Sequence, residues 1–232
     1  MMIGIIGAMN TEVETLISSL ADKEETVIAG SHFFSGKLGS TDAVVVMCGI
    51  GKVAAAICAQ ALIDTFHPDV LINTGVAGGV ADGLAQGDLV IATDAVQHDF
   101  NLSLFGYAKG YMPVWGRDKG SPSPFPADKA LAEKLIAAAD ALGYHAIRGR
   151  VASGDIFVAD ADLKHTLATE FGAAVAEMEG AAIAQTAWQN GTPCAIVRAI
   201  SDLADGSATL SFEEFEVIAA ERSAKLLLEI CK

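Results

Sequence analysis

Short, wholly apolar runs alternate along this chain with longer segments in which apolar side chains recur every three or four residues. The first run, residues 2–7, predicts a buried strand ending in glycine. Behind it Val13, Leu16, Ile17 and Leu20 keep helical spacing. Asn10 or Thr11 is the expected N-cap, with Glu12 and Glu14 in a first turn where the helix dipole favours carboxylates. Residues 27–38 and 42–47 read as two antiparallel strands joined around Gly39 and Ser40. C-G-I-G-K (48–52) is a strand-to-helix turn opening an Ala-rich helix over 53–66. A buried strand over 70–73 runs into T-G-V-A-G-G-V-A (74–81), and 87–93 predicts another.

From 95 to 123 the texture changes to Gly, Pro and aromatic residues: Phe100, Phe105, Tyr107, Tyr111 and Trp115. A loop this long inside a compact fold is usually functional, so it reads as a lid or a subunit contact. Residues 127–142 predict an amphipathic helix, 145–153 a strand and 161–170 a helix. The stretch 175–206 follows, read as a buried helix opening with two carboxylates, a Gly-Thr-Pro turn, and an apolar strand carrying Arg198 and ending in Ser201-Asp202. A last amphipathic helix occupies the C-terminal segment. Strands alternating with helices predict an α/β fold, a sheet with helices on both faces. At 232 residues with no linker, one domain over 1–232 is expected.

Composition narrows the function. Apolar residues make up 52% of the chain and charged ones 19%, enough for a large core. The net charge of −14 argues against nucleic-acid binding, which needs a basic face. No apolar run reaches the roughly 18 residues of a membrane span, and the N-terminus lacks a basic segment that would mark a signal peptide. Cys48, Cys58, Cys194 and Cys231 lie in apolar surroundings without CxxC pairing, which predicts buried thiols in a reducing, cytoplasmic setting. The five histidines are scattered without ligand spacing, so neither a metal nor another cofactor is expected.

Gly75, Gly78 and Gly79 fit neither a dinucleotide nor a P-loop spacing; their better use is close backbone approach to a ligand or a positive φ. There is no nucleophile elbow. Carboxylate chemistry remains: Glu12 after the first strand, Glu177 or Glu179 at a helix start, and Asp202 at a strand end. Charges set in so much Ala, Ile and Val are costly unless paired or used. Strand ends in open α/β sheets gather into one cleft. Two residues apart on a helix, Glu177 and Glu179 would face different ways, so one at most is expected in that cleft. Carboxylates with separated pKa values suit a glycosidic-type bond, one as acid on the leaving group and one as base on water. Arg198 would neutralise part of this charge, or form a buried ion pair with no part in the reaction.

I-G-I-I-G-A-M-x-x-E-V, C-G-I-G-K-V-A-A-A, I-N-T-G-x-A-G-G, S-G-D-x-F, E-M-E-x-x-A-I-A and V-R-A-I-S-D-x-A-D occur in order over nearly the whole chain. Together they resemble the 5′-methylthioadenosine/S-adenosylhomocysteine nucleosidases of the nucleoside phosphorylase superfamily. The resemblance implies a three-layer αβα fold around a mixed sheet, a nucleoside substrate, no cofactor and a homodimer. It makes Glu12 the base that activates water, Asp202 the acid on adenine N7 with Ser201 beside it, and Met178 and Glu179 the ribose-binding pair. Phe157 and Val158 would hold adenine, Gly78 would contact the substrate through its backbone, and Met9, Ile50, Phe105 and Phe212 would wall the ribose and its 5′ substituent. Arg198 would lie near the water and Glu12. Glu177 falls to a helix-start or structural charge.

Two departures stand out. Val76 replaces the family's usual Ser, and the 105–125 segment is longer and more aromatic, with Trp115 and Arg117-Asp118-Lys119 added. A phosphate-dependent phosphorylase of the same fold is the nearest rival. It would need arginines near the end of the first strand, where this chain has N-T-E-V-E. A non-catalytic nucleoside-binding module is the second rival, disfavoured by the complete set of Glu12, Glu179 and Asp202.

Overall fold

The computed structural model of the chain describes every residue except 114–119, 121–122 and 206–207, and leaves the side chains of 208–211 and 213–214 undescribed. Trp115 and the Arg117-Asp118-Lys119 run therefore lie outside the described residues.

Strand β1 (Met2–Gly7) is flanked in parallel by β4 (Thr41–Met47) and β5 (Val70–Asn73). All three are covered on both faces, which is why they read as unbroken apolar runs rather than alternating ones. Successive side chains still point opposite ways. Ile6, Val44 and Leu71 join Cys58 and Leu62 of α2 (Lys52–Phe66) and Ile183 of α5 (Gly180–Asn190). Ile5, Val45 and Ile72 pack instead with Val13 and Leu16 of α1 (Asn10–Ser18), Leu135 of α3 (Lys129–Ala141) and Leu227 of α6 (Ala208–Ile230). Helices thus lie on both faces of the sheet.

The second half of the sheet closes on itself. Strand β11 (Cys194–Asp202) runs parallel to β5 through its first residues and to β6 (Val76–Gly79) through its last. From β6 the pairing passes to β10 (Ala173–Glu177), β9 (Ala146–Ser153) and β7 (Leu89–Gln97), and β7 returns antiparallel to the middle of β11. Helix α4 (Ala161–Phe171) packs beside β10, with Leu167 and Phe171 buried. The short β8 (Phe125–Pro126) finishes the edge on β7. The sheet is mixed, with eleven strands among the described residues.

Three expectations are corrected. Residues 27–38 are not one strand: β2 (Ala21–Ile28) and β3 (Ser31–Leu38) form a hairpin that turns at Ala29 and Gly30, both with positive φ (+50° and +81°). Residues 21–27 are exposed on both faces, so β2 carries no apolar alternation to betray it. The N-cap of α1 is Met9, not Asn10 or Thr11. Its amide donates to the Glu12 carboxylate three residues on, the return bond of a capping box. Finally, the stretch after residue 172 does not open as a helix. Residues 173–177 are a buried strand, and α5 starts only after Glu179, its N-cap.

Candidate active site

At the carboxyl ends of β1, β6, β10 and β11 the chain leaves a cavity of about 380 Å³. Its walls are mostly apolar, and its polar groups are few and convergent, the usual make-up of a small-molecule site. Glu12, Glu177, Glu179 and Asp202 all line it. So do Met9, Ile50, Gly78, Phe157, Val158, Met178, Ser201 and Phe212. Phe157 and Phe212 meet edge to face, with ring centroids 5.6 Å apart.

Glu12 is held by backbone amides alone. Its Oε2 accepts from Ala8 N at 2.6 Å and Met9 N at 3.0 Å, its Oε1 from Val76 N at 2.9 Å. The chain makes room for it at Gly75, whose φ is +155° and where a Cβ would sit 2.7 Å from the Glu12 carboxyl carbon. Only glycine allows both: the positive φ expected in T-G-V-A-G-G is found at Gly75, and what approaches its backbone there is a carboxylate of the chain rather than a ligand. Burial pushes the Glu12 pKa above its ordinary value, against the pull of Arg198 and the three amides.

Asp202 ends β11 at 2% exposure. Its Oδ1 accepts from Ala204 N at 2.8 Å and its Oδ2 from Ser201 Oγ at 2.9 Å. Desolvation outweighs both bonds and raises its pKa, which favours a carboxyl that still carries its proton. Gly78 gives it space, because a Cβ there would lie 2.9 Å from Asp202 Oδ1.

Glu177 and Glu179 differ in environment rather than in helical phase. Glu177, at the end of β10, spends both oxygens inside the protein. Oε1 accepts from Ser153 Oγ, and Oε2 from Glu179 N at 3.1 Å, Gly180 N at 2.7 Å and Arg198 Nη2. Burial works against its charge, but the Arg198 guanidinium and these donors win and hold its pKa below the ordinary value. Glu179 accepts from Gly51 N at 2.8 Å. Burial, and then the negative charge of Glu177, push it up to about 7. One carboxylate is locked as an ion and its neighbour is poised near neutrality. The expectation that one at most faces the cleft is corrected: a strand end and an N-cap, not two helical positions, bring both to the wall.

Arg198 lies behind the wall, 1% exposed. Besides Glu177 it donates to Asn73 Oδ1, and Asn73 Nδ2 in turn donates to Ile6 O at 2.9 Å. Its Nε has no partner among the described residues. Phe105 is not brought to this cleft either. It sits on a 3-10 turn (Ser103–Phe105) at 77% exposure. Sequence reasoning missed Gly51, Ser153 and Asn73, the groups that orient the carboxylates. Their only signal was that each lies within or beside a quoted motif.

Among the described residues no His, Cys, Asp and Glu cluster is arranged to hold a metal ion. One carboxylate held as an ion and three shifted toward protonation, all facing one apolar space, can pass protons to and from a small molecule.

Residues 2–232 match the sequence profile of the Phosphorylase superfamily. A 5′-methylthioadenosine/S-adenosylhomocysteine nucleosidase of Haemophilus influenzae (strain PittEE) is 44% identical over 231 residues, 99% of this chain and 98% of its own. The crystal structure of such a nucleosidase from Neisseria meningitidis in complex with methylthio-immucillin-A superposes with a TM-score of 0.93 at 38% identity, covering 99% of this chain and 97% of that one. A futalosine hydrolase of Helicobacter pylori strain 26695 superposes with a TM-score of 0.92 at 33% identity, covering 99% and 96%.

Proposed function

This chain belongs to the phosphorylase superfamily and, within it, to the 5′-methylthioadenosine/S-adenosylhomocysteine nucleosidases, and from that premise we propose the part each group of its cleft plays. It is an N-glycosyl hydrolase that splits 5′-methylthioadenosine and S-adenosylhomocysteine into adenine and the 5-substituted ribose. Asp202 protonates adenine N7, without which adenine is a poor leaving group. Departure leaves an oxocarbenium-like ribosyl cation, and Glu179, holding the 2′- and 3′-hydroxyls beside Met178, stabilises it electrostatically. Glu12 takes the proton of the attacking water. Arg198 keeps positive charge close enough to both Glu12 and Glu179 to favour their ionised forms.

Adenine stacks on Phe157 and is read by the backbone of Val158, with Gly78 against the substrate. Met9, Ile50 and Phe212 wall the sugar and its 5′ group. The observation that carries the reading is the electrostatic division of one small cavity: Asp202 and Glu12 raised by burial, Glu179 near 7, and Glu177 held as an ion by Arg198. No Lys or Arg is among the described lining residues, which supports water over phosphate as the acceptor.

Exposed apolar residues support the homodimer. Val53 and Ile57, one turn apart on α2, are 71% and 52% exposed, and Leu104 and Phe105 stand out on their own turn. Phe105 then serves the partner's cleft rather than its own. The single sheet supports reading 1–232 as one domain. No helix among the described residues is long and apolar enough to cross a membrane, and the four buried free cysteines suit a cytoplasmic setting.

The test is adenine release in phosphate-free buffer from methylthioadenosine, S-adenosylhomocysteine, 5′-deoxyadenosine and an aminofutalosine-type nucleoside. Release from the first two without phosphate is expected. Strict dependence on phosphate would overturn hydrolysis.

A further inference from the structure

Two walls of the cleft come from turns far apart in the chain. The turn before α2 supplies Ile50 and the Gly51 amide that holds Glu179; the turn after β9 supplies Ile156, Phe157 and Val158. Both lie beyond the ends of their strands, where no ladder fixes them. A third segment, just past β7, joins them. Asp99 Oδ1 accepts from Lys52 Nζ at 2.5 Å, and Asp99 Oδ2 accepts from Asp155 N at 3.0 Å. Asp155 closes the loop, its Oδ1 accepting from Lys52 N at 2.8 Å. Lys52 Nζ also donates to Gln97 Oε1 at 3.1 Å, and Gln97 Nε2 to Gln185 Oε1 of α5 at 2.8 Å. Gly51 fits the closure: its φ is +98°, and a Cβ there would crowd Asp155 Oδ1 at 3.1 Å.

The Lys52 and Asp99 side chains are 16% and 18% exposed, so their attraction is screened far less than that of a surface pair. None of Lys52, Asp99 and Asp155 lines the cavity. We propose that Asp99 is a positioning residue whose two oxygens, through Lys52 and Asp155, set the spacing between the sugar wall and the base wall of the cleft. The proposal rests on the nucleosidase reading above. A nucleoside spans both walls and needs their separation to be right. Free adenine needs the base wall only. Losing the clasp therefore weakens the one and spares the other.

Calorimetric titration of methylthio-immucillin-A and of adenine separates these cases. Asp99→Ala is expected to weaken the nucleoside analogue about tenfold or more while adenine stays within about twofold of the wild type, since the analogue alone depends on the preorganised separation of the two walls. Asp155→Ala should do the same. Asp155→Asn keeps the one oxygen in use and should bind as the wild type does, a rescue that loss of charge alone would not give. Equal weakening of both ligands in Asp99→Ala, or an unchanged analogue affinity, would overturn the proposal, as would Asp155→Asn behaving like Asp155→Ala. If Asp99→Ala does not fold, the Asp155 pair decides alone. Failure of the wild type to release adenine from methylthioadenosine would strike the functional reading instead, through a different measurement.

Discussion

Asp202 and Glu179 face the same cavity, and the reaction asks opposite things of them. In the mechanism proposed above Asp202 must arrive protonated, and its raised pKa serves that; Glu179 must be ionised when the ribosyl cation forms. Asp202→Asn keeps a side-chain oxygen for the Ala204 amide but has no proton to give. Its turnover in adenine release should fall about a hundredfold or more, the scale of a general acid; the wild-type rate should fall on the alkaline side as Asp202 loses its proton, and that limb should be absent from the variant. An unimpaired variant would remove Asp202 from the mechanism. Glu179 also carries a stability signature with a definite sign. Its carboxyl titrates near its ordinary 4.5 in the unfolded chain and near 7 in the folded one. The folded state therefore binds the proton more tightly, and the stability this confers is complete below pH 4.5 and is lost as pH rises to about 7. Glu179→Gln stays neutral throughout and can still accept from Gly51 N. In urea unfolding it should match the wild type near pH 4 and exceed it at pH 8 by ~3–4 kcal/mol, given about 1.4 kcal/mol per pKa unit over the rise from 4.5 to about 7. A difference that does not change with pH would refute the shift. Glu177, paired with Arg198, runs the other way, losing its contribution as pH falls.

At the scale of elements, what was legible follows from what the core demands. β1, β5 and β11 are buried on both faces and announce themselves as apolar runs, and α1 and α3 keep one buried stripe each. The segment V-A-E-M-E-G-A-A-I-A was not legible, because Ala and Val suit a buried strand and a buried helix alike, and the change between them falls at Glu177–Glu179, with its one glycine, Gly180, already the first helical residue. β6 is four residues long and half glycine; it exists through pairing with β10 and β11, partners about 100 and 120 residues away in a mixed sheet. The same limit governs the site. Glu12, Asp202 and one of Glu177 and Glu179 could be singled out because charge inside apolar sequence is costly, and rules for strand ends could bring them together; the family resemblance chose Glu179. The groups that orient them, Gly51, Ser153, Asn73 and the Lys52–Asp99–Asp155 clasp, are contacts across 24 to 128 residues of chain, and no local spacing encodes those.

For the molecule as a whole, the unsettled apolar surface decides the last question. Val53 and Ile57 would leave two large side chains on one turn of α2 in water, and Leu104 and Phe105 two more. Burying each is worth roughly 1.5–3 kcal/mol, a strong drive to association when two copies bring the same face together. The wild type should therefore sediment at twice the chain's mass at micromolar concentration. A Val53→Lys, Ile57→Lys double variant places two cations where the twofold face would meet itself and should sediment as a monomer. Because Phe105 does not reach its own cleft, that monomer should also lose turnover on methylthioadenosine. Adenine should still bind, since Phe157 and Val158, proposed above to hold it, line the same cavity as Asp202 within one chain. A wild type that is fully active as a monomer, or a monomeric variant with undiminished turnover, would sever the link between assembly and the 5′ side of the site.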